Sequence, residues 1–567
     1  MTDALPTPPT EAVSGPEMMA NLREIARWVK LSGTAEELEA LRFLEKRMAD
    51  YGFRTKILMH DAFISLPGKA RVEVDGKAIT AITQSFSQPS PTGGLSGVPV
   101  YVGHGTEADF AGKEVKGRIV LVEGMATPAV SQRATEAGAA GQLHISHHEH
   151  IHEMCISPVW GNPSASTRGG MPNTVVCSVN NADGGAIRDA LAAGGKPVVT
   201  LHAEVDTGWR KTPILVAEAD GPKGGAEEPF VLLSGHHDTW YYGVMDNGSA
   251  DAGMMEAARL CFAQRNEWQR GLRVCFWSGH SHGRYSGSAW YADAHWDELD
   301  RRCVAHVNVD SLGGVGATVL SNTAAMTELK HLAAQAVEAH TNQSYKGKRK
   351  ARSSDESFVG IGIPSMLGSI SEQAQKHEQA RNALGWWWHT PHDLIDKVDE
   401  ANLVRDARVL TQVVWRLLAS PVVPLDHAAT AEALLVELAP LAKALDGRLD
   451  VSPLVTGATA VRDAAASVAK RSPRDTAAAA AASAALMRAS RALVPADYTN
   501  GDRFLHPHAL PMPAWATLQP IRDLAATSAG SDAEKFAAVD ALRARNRVAF
   551  ALREAKQALD DALAALS

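Results

Sequence analysis

The chain has 567 residues, of which 45% are hydrophobic and 21% charged, and a formal net charge of −8 at pH 7. That length asks for two or three domains, the composition is that of a globular protein, and the acidic balance gives no reason to expect a nucleic-acid partner. No uncharged apolar run approaches the roughly 20 residues that cross a bilayer, and the opening stretch MTDALPTPPTEAV lacks the basic and apolar regions of a secretory signal. A soluble, cytoplasmic protein is therefore expected.

Helical periodicity runs from about Glu17 to Tyr51, and Thr34-Ala-Glu-Glu37 has the form of a capping box. The helix it opens turns Leu38, Leu41, Leu44 and Met48 inward, and Gly52 ends it. From about Phe53 to Arg210 the texture shifts to short apolar strands and turns, as in Val98–Val102, Arg118–Val122 and Asn173–Val179, with helices near Ala134–Ala140 and Ala186–Ala193. This stretch reads as a β-rich unit inserted into the first domain. Between Ile214 and about Ala419, the apolar runs Phe230–Leu233, Arg273–Trp277 and Ala305–Val309 alternate with the helical spacing of Ala252–Gln264 and Ala325–His340. That order predicts an α/β sheet whose ligands gather at the carboxyl ends of its strands. Past Pro424 the Ala- and Leu-rich stretches Thr476–Leu493 and Asp532–Leu566 predict long helices packed as a bundle. Cys155, Cys177, Cys261, Cys275 and Cys303 are odd in number and without CxxC spacing, which points to buried free thiols.

Four segments bring metal-ligating residue types to predicted strand ends: Ser234-Gly-His-His-Asp-Thr-Trp240 with Met245-Asp-Asn-Gly-Ser249, Trp277-Ser-Gly-His-Ser-His-Gly-Arg284, His306-Val-Asn-Val-Asp310 and Trp386-Trp-Trp-His-Thr-Pro-His-Asp393. Imidazole nitrogen and carboxylate oxygen suit zinc, and a pair of metals needs a bridging carboxylate.

His236-His-Asp238 followed by Asp246-Asn-Gly-Ser resembles the first metal motif of the zinc aminopeptidase and glutamate carboxypeptidase II family, which also includes the transferrin receptor. The resemblance implies that His236 binds one metal, Asp246 bridges, and Asp238 orients His236. It makes Asp310 a second ligand to the metal of His236 and gives His389 to the other metal. Ser354-Asp-x-x-x-Phe358 and Gly362-Ile-Pro364 then line the substrate pocket. The implied fold is a phosphorylase/hydrolase-like mixed sheet flanked by helices. Its metallopeptidase-like α/β domain would take residues 1–55 and 211–424. A protease-associated domain would take 56–210, on the strength of Ala111-Gly-Lys-Glu-Val-Lys-Gly-Arg118, and a C-terminal helical dimerisation domain 425–567.

The sequence departs from the family at its centre. Aligned on Gly287-Ser288, the family's two consecutive glutamates, general base and ligand, become Ser281 and His282. Asp246, His282 and His389 still make a two-His, one-carboxylate set for zinc, as one or two ions, or for iron or another divalent metal. A serine hydroxyl is no base near neutrality, so His280 is the nearest proton carrier, with His237 and Glu356 as further candidates. Hydroxide generated at the metal is another route.

Trp240, Tyr241, Tyr242, Trp277 and Trp386–Trp388 surround these ligands in sequence. Neighbours in an extended segment alternate faces, so one of the three consecutive tryptophans is expected to face a pocket for an aromatic or apolar group. His144-Ile-Ser-His-His-Glu-His-Ile-His152, Pro158-Val-Trp-Gly-Asn162 and Arg168 belong to the insert. They are candidates to border the substrate, the histidines alternatively to form a separate metal site; Arg168, Arg284 and Arg352 are candidates to pair a substrate carboxylate. The expected activity is metal-dependent hydrolysis of an amide bond in a small peptide-like substrate, by a homodimer. A non-peptide amide substrate is a variant of this, and a catalytically silent binding protein on the same scaffold is the alternative.

Overall fold

In the computed structural model, residues 5–225, 227–374 and 383–567 are described. The first four residues of the Pro- and Thr-rich start lie outside them. The helical periodicity of residues 17–51 is realised as two helices, Gly15–Ile25 and Ala35–Asp50, each opened by a hydroxyl cap from Ser14 or Thr34. Only half of the expected capping box forms: Thr34 accepts the Glu37 N–H at 3.2 Å, while the Glu37 carboxylate accepts from Gly33. Leu41, Leu44 and Met48 are buried as predicted, and Leu38 is half-buried. The break between the helices carries Lys30 and Ser32 into the interior.

The main sheet has eight strands. Ser365–Gly368, Cys303–Val309, Phe230–His236 and Gly271–Trp277 are parallel neighbours in that order. Val199–Ala219 continues the sheet antiparallel, followed by Arg54–Val74 and Lys77–Ile79, and Leu95–Gly97 pairs on the far part of Val199–Ala219. The parallel strands are buried along their whole length because both faces are covered. Val231 and Leu233 enter the core under Gly15–Ile25, Ser249–Ala263 and Glu400–Ala419. Phe230 and Leu232 enter a second core with Tyr291, Leu299, Phe358 and Ile363.

The two strands of 21 residues, Arg54–Val74 and Val199–Ala219, form one antiparallel ribbon. The ribbon runs through the boundaries expected at 55/56 and 210/211, so the β-rich stretch is continuous with the main sheet. Beyond it lies a five-stranded sheet of Ala81–Thr83, Val175–Val179, Gly141–Ile145, Ile119–Glu123 and Val100–Tyr101. Leu121, Leu143 and Cys177 of this sheet pack on Val72, Val199 and Leu201 of the ribbon, and its other face packs Val120 and Val122 on Val130 and Ala134.

The C-terminal part is helical: His427–Ala444, Ser452–Val468, Thr476–Tyr498, Gln519–Ala526 and Asp532–Leu566. Alanines such as Ala482, Ala489, Ala541 and Ala555 are buried where these helices meet. After Tyr498 the chain returns to the sheet side, where the Ala509 N–H donates to the Pro158 carbonyl. All five cysteines are buried and unpaired. Among the described residues, no helix is long and apolar enough to cross a membrane.

Candidate metal centre

The parallel strands end side by side, which delivers His236, the Ser278–Ser288 loop and Asp310 to one edge of the sheet. Gly235 is required there, since a Cβ would stand 2.6 Å from the Val309 carbonyl of the neighbouring strand. Asn247 ties the edge together: its amide donates to the carbonyls of His236 and Val309 at 3.0 and 3.3 Å, and its oxygen accepts the Ser311 N–H at 2.8 Å.

His236, Asp246, Asp310 and His389 converge. The Asp246 carboxylate lies between two imidazoles, with Oδ1 3.2 Å from His236 Nε2 and Oδ2 3.1 Å from His389 Nε2. His236 Nε2 is also 3.6 Å from Asp310 Oδ1. Each histidine is aimed by its other nitrogen: His236 Nδ1 donates to the Asp238 carbonyl and His389 Nδ1 to the Glu153 carbonyl, both at 2.7 Å. Asp246 is aimed by Asp393, whose two oxygens accept the N–H groups of Met245 and Asp246 at 2.8 and 3.0 Å.

Burial and charge act against each other here. Burial lowers the pKa of His236, but Asp246 and Asp310 more than reverse this and hold it well above its ordinary value. Burial raises Asp246, and His236 and His389 pull it below the ordinary carboxylate range. Burial pushes Asp393 up to about 8, against the two N–H groups it accepts and the charge of Lys30.

His280 joins the cluster. One donor atom each from His236, His280 and Asp310 lies within 4.8 Å of the others, a spacing on which a cation with bonds of about 2.1 Å can close. The His280 ring lies parallel to that of His236, with centroids 3.6 Å apart, so one ion in the plane of both rings would require one of them to turn. His280 Nδ1 is 2.9 Å from Asp355 Oδ2.

The other expected residues stand around this group. The Asp238 carboxylate faces away from the His236 ring nitrogen. It accepts Ser32 Oγ at 2.6 Å and the N–H groups of His280 and Ser281 at 3.2 and 2.9 Å, and so holds the 278–288 loop. Ser281 is buried, with its hydroxyl 3.5 Å from the Asp238 carbonyl. His282 stands beside Trp240: Nδ1 lies 3.0 Å from Ser32 Oγ, the ring tilts on Trp240 at 4.3 Å, and burial pushes its pKa down to about 4. His237 is paired with Asp251 at 2.7 Å, and Glu356 with Lys350 at 2.9 Å.

The tryptophan triplet is a turn rather than an extended segment. Trp387 enters the core, Trp386 stacks on His150 at 4.2 Å and Trp388 stacks on His389 at 3.5 Å. The 146–153 loop thus buttresses His389, through His150 and also through the His152 Nδ1 contact of 2.5 Å to the Trp388 carbonyl. Arg352 donates to the carbonyls of Pro507 and His508 and lies over Trp160, and Arg284 reaches the Ala509 carbonyl. Arg168 is exposed and lines a cavity of about 790 Å³ with Phe63, Phe86 and Trp209. Asp355 belongs to the Ser354-Asp-x-x-x-Phe358 segment expected to line the substrate pocket. Ser32 and Glu153 carry no local motif, because each reaches the centre from a distant element.

The buried Nε2 of His236 and Oδ1 of Asp246 have no hydrogen-bond partner. Unsatisfied polar atoms aimed at each other from a nitrogen and carboxylate donor set fit a divalent cation. The fold and these residues define a metallopeptidase-type hydrolase. Residues 215–414 match the model of Peptidase family M28. The chain is 23% identical over 528 residues to a probable glutamate carboxypeptidase of Arabidopsis thaliana, AMP1, covering 78% of this chain and 73% of that protein. It is 24% identical to a probable glutamate carboxypeptidase of Zea mays, VP8, over 52% of this chain and half the length of that relative. Among solved structures, the zinc aminopeptidase BSAP from Bacillus subtilis superposes with a TM-score of 0.56 at 20% identity, over 74% of this chain and 96% of that one. A peptidase M28 precursor from Shewanella amazonensis gives 0.57 at 18% identity, over 72% and 94%. At these identities the structural likeness speaks for the fold.

Proposed function

We propose that the protein hydrolyses an amide bond in a small peptide-like substrate at a divalent metal centre. The observation that carries this reading is the Asp246 carboxylate shared between His236 and His389, at 3.2 and 3.1 Å, in a buried pocket with partnerless donor atoms. His236, Asp310 and Asp246 would hold one cation and His282 and His389 with Asp246 a second; zinc is the first choice by donor type, with iron or another divalent metal as the alternative. A bound metal supplies Lewis acidity toward the scissile carbonyl and toward water. His280, beside His236 and Asp310, carries the proton that a glutamate carries elsewhere in the family. Ser281 and Asp238 fix the loop on which His280 and His282 stand.

The inserted unit corresponds in this reading to a protease-associated domain whose 146–153 loop borders the substrate. The exposed Phe536, Val539 and Phe550 of the last helix suit a homodimer contact. The test is turnover of a panel of dipeptides and N-acyl amino acids with and without a chelator. Turnover that a chelator abolishes and zinc restores is expected. Metal-replete protein that leaves the whole panel intact would favour a binding protein on the same scaffold.

A further inference from the structure

A line of buried polar groups runs from the inserted unit to the metal centre. Trp160 Nε1 is 2.9 Å from Ser357 Oγ, which is 2.9 Å from Ser288 Oγ, which in turn is 2.7 Å from Asp355 Oδ1. The other oxygen of Asp355 is 2.9 Å from His280 Nδ1. Asp355 and Ser288 are fully buried, Ser357 and Trp160 nearly so.

The direction of every bond follows from the two ends. An indole N–H can only donate, so Ser357 accepts from Trp160 and its own proton is free for Ser288. Ser288 has one proton and three acceptors in reach, the Tyr285 carbonyl at 3.2 Å, Ser357 Oγ at 2.9 Å and the carboxylate at 2.7 Å; the shortest, charge-assisted bond takes it. An ionised carboxylate only accepts, so His280 donates through Nδ1.

We propose that Asp355, aligned by this relay from Trp160, is a positioning residue that locks His280 as the Nδ1-protonated tautomer and turns an unprotonated Nε2 toward His236 and Asp310. Gly287 makes the approach possible, since a Cβ there would collide with the Ser278 carbonyl. This deepens the reading of His280 as proton carrier and rests on it for its purpose. The tautomer itself depends on neither metal nor substrate.

The experiment is nitrogen NMR of metal-free, full-length protein labelled with 15N-histidine, recorded as the pH is raised until the His280 ring carries a single proton. His280 is identified by the signals lost in His280→Gln. The expected wild-type spectrum shows the Nδ1–H form in at least about tenfold excess, the scale set by one hydrogen bond to a charged group. In Asp355→Asn, the Ser288 hydroxyl claims the amide oxygen and turns the NH2 toward His280. The tautomer then reverses by a similar factor, and removing the hydroxyl in Asp355→Asn/Ser288→Ala relaxes the reversal. A wild-type His280 whose single proton sits on Nε2 overturns the proposal even where a variant fails to fold. So does an Asp355→Asn spectrum with the tautomer unchanged. If the tautomers behave as expected and no amide is turned over, the hydrolase reading falls and the relay stands.

Discussion

The two walls of the metal centre are built on different terms. On one, Asp246 stands between His236 and His389, and all three are aimed by groups that serve little else: the carbonyls of Asp238 and Glu153 and the carboxylate of Asp393. On the other, the loop from Ser278 to Ser288 brings imidazole and hydroxyl but no carboxylate of its own. It is held by the acids of two other segments, Asp238 and Asp355. The first wall keeps what is needed to hold a cation. The second has changed the group that moves the proton, and the comparison teaches that the two jobs are mechanically separable in this fold.

If so, substitutions on the two walls should fail differently. The largest effect is expected from Asp246→Ala, which removes the shared carboxylate: metal affinity should fall by more than about 100-fold, beyond the loss typical of a supporting residue, as read by competition with a chromophoric chelator. His280→Gln should leave that affinity nearly intact and lower turnover by about 10²- to 10⁴-fold, the range of a lost general acid or base. Equal loss of metal in the two variants would erase the distinction between the walls.

Glu153 tests the support beneath His389. Burial pushes its carboxyl up to about 7, against an ordinary value of 4.5. The folded state therefore holds this proton more tightly than the unfolded chain. Below pH 4.5 both states are protonated and no penalty exists; as pH rises from 4.5 to about 7 the stability is lost, and it stays lost above. Replacement by Gln should flatten this slope in the metal-free protein by about 3 kcal/mol at most, measured by urea unfolding across that range. Asp393→Ala, which frees the N–H groups of Met245 and Asp246, should weaken metal binding by about 10- to 100-fold without changing the pH profile of turnover. Ser281→Ala should change turnover by less than about threefold, because its backbone N–H rather than its hydroxyl makes the close bond to Asp238. A large loss there would return Ser281 to the chemistry.

The parallel strands were legible because burial on both faces leaves continuous apolar runs, as in Phe230–Leu233. The convergence of His236, Asp246, Asp310 and His389 was legible because each sits directly after such a run or in a motif with fixed spacing. The 278–288 loop was harder. Counting back from Gly287-Ser288 does not show how the chain turns, and it turns with positive φ at Gly279, Arg284 and Tyr285. That path brings His280 to the cluster and His282 Nδ1 to within 3.0 Å of Ser32 Oγ. The continuity of the ribbon through residues 55 and 210 was hidden too, because long paired strands with one solvated side show no composition break where they leave the main sheet. Ser32 gave no signal at all: a residue that acts by one hydrogen bond across 206 positions has no local pattern. Asp355 stood in a legible segment, Ser354-Asp-x-x-x-Phe358, but its bond to His280 did not show there.

The most direct test is anomalous diffraction at the zinc edge from crystals of the zinc-loaded protein. A peak about 2.0–2.2 Å from His236 Nε2 and from a carboxylate oxygen of Asp246 is the result this account predicts. A zinc-replete crystal whose peak lies elsewhere, for example among His148, His150 and His152, would contradict it.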